Sequence, residues 1–194
     1  MIIELFGLPG SGKTTLARAL EKEGKATRVR IVSRWELIRY NLIFIAKHPV
    51  RSVVLLGYVV RYAGSLPLFH TKFMNLILHH NAKYEKAHSL SGRIVIDQGH
   101  FQNLLSLFEQ AMSAPMLARY VSWLPCPDEL WICAMPQSER VARLHSRGYG
   151  GASEERVLGA VITNYETVVP ILSSDTRLRV RSISTDTAIE ELLP

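Results

Sequence analysis

The sequence predicts an α/β fold in which a parallel sheet carries helices on both faces. Three observations predict it. Five short, mostly apolar or alternating runs are spaced along the chain, at residues 2–6, 27–32, 93–97, 129–134 and 178–183, and such runs read as strands. Stretches with helical periodicity separate most of them, and that alternation is satisfied by a parallel sheet with crossover helices. A glycine-rich loop, Gly7-Leu8-Pro9-Gly10-Ser11-Gly12, joins the first run to the first helical stretch.

Residues 2–6 are mostly apolar and stop at Gly7, as a buried strand does. Residues 14–21 carry Leu16, Ala17, Ala19 and Leu20 and read as a helix ending near Gly24. Residues 27–32 alternate polar side chains with Val29, Ile31 and Val32, the pattern of a second strand. Arg-Ile-Val-Ile-Asp at 93–97 is the third, and Glu-Leu-Trp-Ile-Cys-Ala at 129–134 the fourth. Residues 178–183 are less apolar, which places a fifth strand at a sheet edge. Residues 138–147 and 153–172 read as helices.

The stretch at 35–89 is different. It is rich in long apolar and aromatic side chains, shows no strong strand signal, and is punctuated by Pro49, Gly57, Gly64 and Pro67. It reads as several helices forming a lid-like or acceptor-binding insertion. Its apolar side chains have three possible uses: packing within the insertion, a homodimer interface, or a pocket for an acceptor with an apolar part. Leu55 and Val59 are expected on an exposed surface, with Lys47, Arg51, Arg61 and Lys72 flanking it to meet a phosphate or an anionic membrane. A bilayer span needs about 20 apolar residues, and the uninterrupted run here ends at Arg61, so no transmembrane span is expected. A membrane-surface contact stays open.

The chain has 194 residues, which suits one domain spanning 1–194, with the insertion at about 35–90 and a lid at about 138–153. The net charge of +6 favours anionic partners such as nucleotides or phosphorylated metabolites. No run of consecutive Lys and Arg marks a nucleic-acid tail, so no specific nucleic-acid binding is expected. Cys126 and Cys133 are seven apart, not a zinc spacing, and read as two reduced thiols. No signal-peptide pattern opens the sequence, and the cytoplasm is the expected compartment.

The most specific motif is Gly7-Leu8-Pro9-Gly10-Ser11-Gly12-Lys13-Thr14, followed by Thr15. The glycines let the backbone turn its N–H groups toward phosphate oxygens, and the helix that follows adds its positive end. In such a loop the lysine, here Lys13, reaches the β- and γ-phosphates and the hydroxyl of Thr14 ligates Mg²⁺. ATP and Mg²⁺ are therefore the expected cofactors.

Asp97 ends the third strand, on the edge where open parallel sheets gather ligands. There it can hold Mg²⁺, accept a proton from an attacking hydroxyl, or cap a helix starting near Gln98. Arg140, Arg143 and Arg147 recur at helical spacing on one face and precede Gly148-Tyr149-Gly150-Gly151. Arginines on a mobile lid can neutralise a moving phosphoryl group, and a solvated basic face is the plain alternative. Catalytic candidates are thus Lys13, Asp97, Arg143 and Arg147.

The phosphate loop, the strand-end Asp97 and residues 136–151 together resemble the nucleoside/nucleotide kinase group of P-loop kinases, thymidylate kinase-like and adenylate kinase-like proteins in particular. The resemblance implies a three-layer P-loop NTPase fold, a sheet in the order 2-3-1-4-5, an arginine-bearing lid after strand four, and a nucleotide base near residues 184–186. The chain departs from the group after Asp97. Thymidylate kinase-like proteins carry Asp-Arg there and deoxynucleoside kinases Glu-Arg-Ser, whereas this chain has Asp97-Gln98-Gly99-His100. The arginine that would hold the acceptor is missing.

The reading is a kinase that moves the γ-phosphoryl group of ATP to a small acceptor, with a nucleoside or nucleotide among the candidates. The alternative is a nucleotide-dependent switch that hydrolyses ATP slowly and acts through a partner. A guanine-specific GTPase is disfavoured because no Asn-Lys-x-Asp occurs. Glu36, just after strand two, can bind an acceptor or simply lie exposed on a helix, and His79, His80 and His88 read as surface histidines.

Overall fold

A computed structural model of the chain describes residues 1–146, 148 and 152–184. Five parallel strands, β1 (Ile2–Phe6), β2 (Thr27–Arg28), β3 (Ile94–Ile96), β4 (Glu129–Ala134) and β5 (Val180–Ser184), form one sheet in the order 2-3-1-4-5. All five residues of β1 are buried, because β3 and β4 pair with it on either side and helices cover both faces.

On one face lies α1 (Lys13–Lys22), whose Leu16, Ala17 and Leu20 pack with Ile3, Leu5, Trp131 and Ile183. The opposite face carries a larger core. It joins Phe6, Leu130 and Ile132 of the sheet to α6 (Asn103–Ser106), α7 (Ala114–Trp123) and α9 (Ala152–Ser174). Each large apolar side chain buried this way contributes about 1.5–3 kcal/mol. Residues 156–174 are long and apolar enough to cross a membrane by composition, but α9 places Val161, Val168 and Leu172 in this core. Its buried Asn164 ties it to the loop before α7, accepting from Met112 N at 2.8 Å and donating to Gln110 O at 3.0 Å.

The insertion is helical, as the sequence predicts. It comprises α2 (Arg34–Lys47), α3 (Pro49–Tyr62), α4 (Leu66–Lys72), a π-helical turn at Phe73–Leu78 and α5 (His79–His88). Ser33 Oγ accepts from Glu36 N at 3.1 Å, capping α2, while the Glu36 carboxylate accepts from Val32 N, one residue before the cap, at 3.0 Å. Glu36 also pairs with Lys86 at 2.8 Å, so its carboxylate is committed to structure. Two side-chain amides hold the π turn from outside: Asn103 Nδ2 bonds Leu76 O at 3.0 Å and Asn41 Nδ2 bonds Leu78 O at 2.8 Å.

Three expectations for this region are corrected. Leu55 and Val59 are fully buried, because α3 turns them onto the core formed with α7, leaving Val53, Leu56 and Val60 outward. Lys72 is buried as well, donating to Tyr62 O and Leu107 O at 3.0 Å and pairing with Glu109 at 3.0 Å. It fastens α4 to the core and is not on the outer apolar surface, but it lines the cavity that the phosphate loop also lines. His80 is also buried, while His88 is exposed.

Candidate active site

The loop after β1 turns back so that Ser11 N bonds Leu8 O at 3.2 Å, and Gly12 caps α1 at φ 83°. That left-handed conformation is the reason the position takes glycine. Lys13, the first residue of α1, is nearly buried. Its Nζ donates to Gly7 O at 2.7 Å, to Leu8 O at 2.9 Å and to Ser11 Oγ at 3.4 Å. Pro9, Gly10, Ser11, Gly12, Lys13, Thr14 and Thr15 all line one cavity of about 830 Å³. Gly7 and Leu8 lie behind that wall, contributing their carbonyls to Lys13.

The opposite wall comes from the insertion and from the loop after β3. Lys83 and His80 of α5 face it, with Gln98 and Gln102 of that loop and Asn75 of the π turn. His80 is 5 % exposed and Gln102 7 % exposed. Among the described residues, His80 Nδ1 and Gln102 Oε1 have no hydrogen-bond partner. Burial, reinforced by the charge of Lys83, pushes His80 down to about 3, so it is a neutral imidazole at any working pH.

Asp97 does not line the cavity. Its carboxylate is buried and held between Arg28 Nη2 at 2.5 Å and Lys83 Nζ at 3.3 Å. Burial would raise its pKa, but Lys83 and Arg28 outweigh burial and hold it below the usual range. No helix starts at Gln98; the next one, α6, begins at Asn103. Asp97 thus orients Lys83, whose Nζ also donates to Gln98 O at 3.0 Å.

The loop that carries Gln98 and Gln102 is anchored from below by a residue the sequence reading passed over. Glu4 of β1 is 1 % exposed, and its carboxyl accepts the Phe101 N–H at 2.6 Å. Burial pushes it up to about 8, against the opposing pull of the Phe101, Gln102 and His100 amides and of Lys83. Gly99 passes directly over this carboxyl. A Cβ there would lie 2.5 Å from Glu4 Cδ, so only glycine fits. His100, fully buried, stacks on Phe44 at 5.6 Å, and burial keeps it neutral.

The arginines of α8 (Gln137–His145) do not share one environment. Arg140 is buried, and the stem of its side chain packs where a Cβ on Gly10 would lie 3.2 Å away. Its Nη1 has no partner among the described residues. Arg143 is 42 % exposed on its side chain and pairs with Glu139 at 3.9 Å. Arg147 and residues 149–151 of the expected lid lie outside the described residues, as do residues 185–186 of the expected base contact. Among the described residues no group of three or more His, Cys, Asp and Glu could hold a metal ion.

No family model and no curated protein matches the sequence. Solved structures do match the fold. A deoxyadenosine kinase from M. mycoides with products dCMP and a flexible dCDP bound superposes with a TM-score of 0.58 at 15% identity, covering 98% of this chain and 94% of that one. The same enzyme with dATP bound gives 0.54 at 12% identity over the same shares. The fold is therefore that of the P-loop nucleoside/nucleotide kinases, over nearly the whole chain.

Proposed function

We propose that the chain is a phosphotransferase that moves the γ-phosphoryl group of ATP to a small-molecule acceptor. The observation that carries this reading is the shape of one cavity. A phosphate loop forms one wall, and Lys83 with the polar side chains of Asn75, His80, Gln98 and Gln102 forms the other. That is how a site for two substrates is arranged, with donor phosphates and acceptor brought to one point.

The donor side suits a triphosphate. Backbone N–H groups at the start of α1 and the ammonium of Lys13 match phosphate oxygens. Lys13 would exchange its bonds to Gly7 O and Leu8 O for phosphate oxygens and stabilise the transferring charge. Thr14 lines the cavity and its hydroxyl is a hard oxygen donor, which suits Mg²⁺ held mostly by phosphate and water. Bound there, Mg²⁺ would supply Lewis-acid neutralisation of the phosphates. For Asp97, the two ion pairs with Arg28 and Lys83 favour a positioning role over direct metal ligation. Arg140, packed over Gly10, is better placed toward the phosphates than Arg143.

On the acceptor side, Lys83 supplies a cation beside Gln98, where related kinases carry the arginine after the strand-end acid. His80 and Gln102 offer neutral hydrogen bonds. A nucleoside or nucleotide acceptor is supported by the fold neighbours, whose structures hold dCMP, dCDP and dATP.

Gln102→Ala tests the division of the cavity. One neutral hydrogen bond is worth about 0.5–1.5 kcal/mol, so KM for the acceptor should rise about two- to tenfold while KM for ATP stays constant. Steady-state kinetics with each substrate varied in turn measures this. An equal rise for ATP, or no change for the acceptor, removes Gln102 from the acceptor wall.

A further inference from the structure

The outer face of the insertion is apolar and basic. On α2, Trp35, Ile38, Leu42 and Ile45 follow one another at steps of three and four, and all are exposed, Trp35 by 81 %. On α3, Val50, Val53, Leu56 and Val60 form a second exposed stripe. Leu66 and Leu68 of α4 extend the surface, and Leu68 is also in the cavity wall. Isolated exposed apolar residues are ordinary, but contiguous stripes on neighbouring helices mark an interaction surface.

The charges around these stripes select the partner. At 100° per residue, Arg34 and Arg39 fall on either side of the α2 stripe, and Arg61 falls beside Val50 on α3. Among the described residues none of the three forms a salt bridge, although Arg39 lies near enough to the Glu36 carboxylate to help hold it ionised; Arg39 and Arg61 lie over the rings of Tyr40 and Tyr62. From Leu37 to Tyr84 the sequence holds no Asp or Glu. A second copy of the same face would bring arginine to arginine, and the nearest acid, Glu36, is already engaged by Lys86, which disfavours self-association. Apolar stripes edged by arginines are instead the composition of helices that lie on an anionic bilayer. Together α2 and α3 are apolar enough to pass as a span, yet they meet at 113°. Two helices meeting at such a corner suit a surface rather than a crossing.

We propose that this face, formed by α2, α3 and the start of α4, docks the protein on the surface of an anionic lipid bilayer, with the cavity mouth at Leu68 beside the lipid. This inference does not depend on the phosphotransferase reading.

Vesicle co-sedimentation tests it. The full chain is mixed with large vesicles of phosphatidylcholine alone, or of three parts phosphatidylcholine to one part phosphatidylglycerol, at about 0.1 M and about 0.5 M salt. The protein should sediment with the anionic vesicles at low salt and stay in solution otherwise. Leu42→Ser with Val53→Ser and Val60→Ser should abolish binding. Arg39→Gln with Arg61→Gln should weaken it about fivefold for each charge removed. Nucleotide binding and melting temperature, both expected unchanged, show that the variants are folded. Failure of the wild type to bind either vesicle overturns the proposal, as does equal binding to both. A dimer in analytical ultracentrifugation that the serine variant dissociates, without vesicle binding, also overturns it and gives the face to a second copy.

Discussion

Lys13→Ala will reduce phosphoryl transfer by at least about 10²–10³-fold, the loss expected when one preorganised charge is removed from a developing anion. The effect is large because Lys13 is the one cation on the phosphate loop itself, held nearly dry at 7 % exposure, where a charge acts through a low dielectric. Its present bonds are to the carbonyls of Gly7 and Leu8 and to Ser11 Oγ. Those groups belong to the loop, so the fold does not rest on the lysine alone. The variant should keep a cooperative melting transition while losing turnover. ADP formation with acceptor present, set beside the melting curve, measures both. Turnover near wild type in a folded variant would remove the phosphate loop from the chemistry.

The second large effect concerns stability and its pH dependence. Glu4 holds its proton up to about pH 8 in the folded chain, chiefly because it is buried, and up to about 4.5 when unfolded. Between these values the folded state binds more protons than the unfolded one, so stability falls as pH rises. The slope approaches about 1.4 kcal/mol per pH unit, enough to total several kcal/mol across the window. Below about 4.5 and above about 8 the contribution is flat. Glu4→Gln should erase most of this slope, because the amide keeps the shape and one acceptor for Phe101 N–H without titrating. Asp97 acts in the other direction and much lower: its stabilising charge is present at neutral pH and is lost only as pH falls through its depressed pKa. Gly99→Ala should cost about 1–3 kcal/mol at any pH, since its methyl would sit 2.5 Å from Glu4 Cδ in a closed interior. Urea unfolding of the three proteins from pH 5 to about 8 separates these effects. A wild-type slope that Glu4→Gln leaves unchanged would show that Glu4 is ionised throughout.

The sequence made the sheet readable because its signals are local. The first and fourth strands were read at residues 2–6 and 129–134, where they stand, since each is an apolar run bounded by a turn. The second strand was read too long. Val29 N still bonds Val95 O at 3.0 Å, but Arg28 turns to Asp97 and Arg30 to Glu21, and Ser33 then starts a helix. The phosphate-loop wall of the cavity was likewise legible, because the motif is contiguous. The other wall was not. Lys83, His80 and Gln102 come from an α-helix and a loop that only tertiary packing brings together, and nothing in their spacing marks them. Glu4 could have been noticed: a lone acid inside a fully buried strand demands a partner, and its partner is the loop after β3. Leu55 and Val59 were misplaced because both faces of α3 are apolar, so periodicity could not tell inside from outside.

The central claim is that the cavity joins a phosphate donor to an acceptor. The most direct test is ADP release by the wild-type chain with ATP and Mg²⁺, with and without each of a set of nucleosides, nucleotides, sugars, amino acids and polyprenyl alcohols. The account predicts that at least one class raises ADP release well above the acceptor-free rate and yields a phosphorylated product in equal amount. Slow ATP hydrolysis that no acceptor accelerates would contradict it, and would favour a nucleotide-dependent switch acting through a partner.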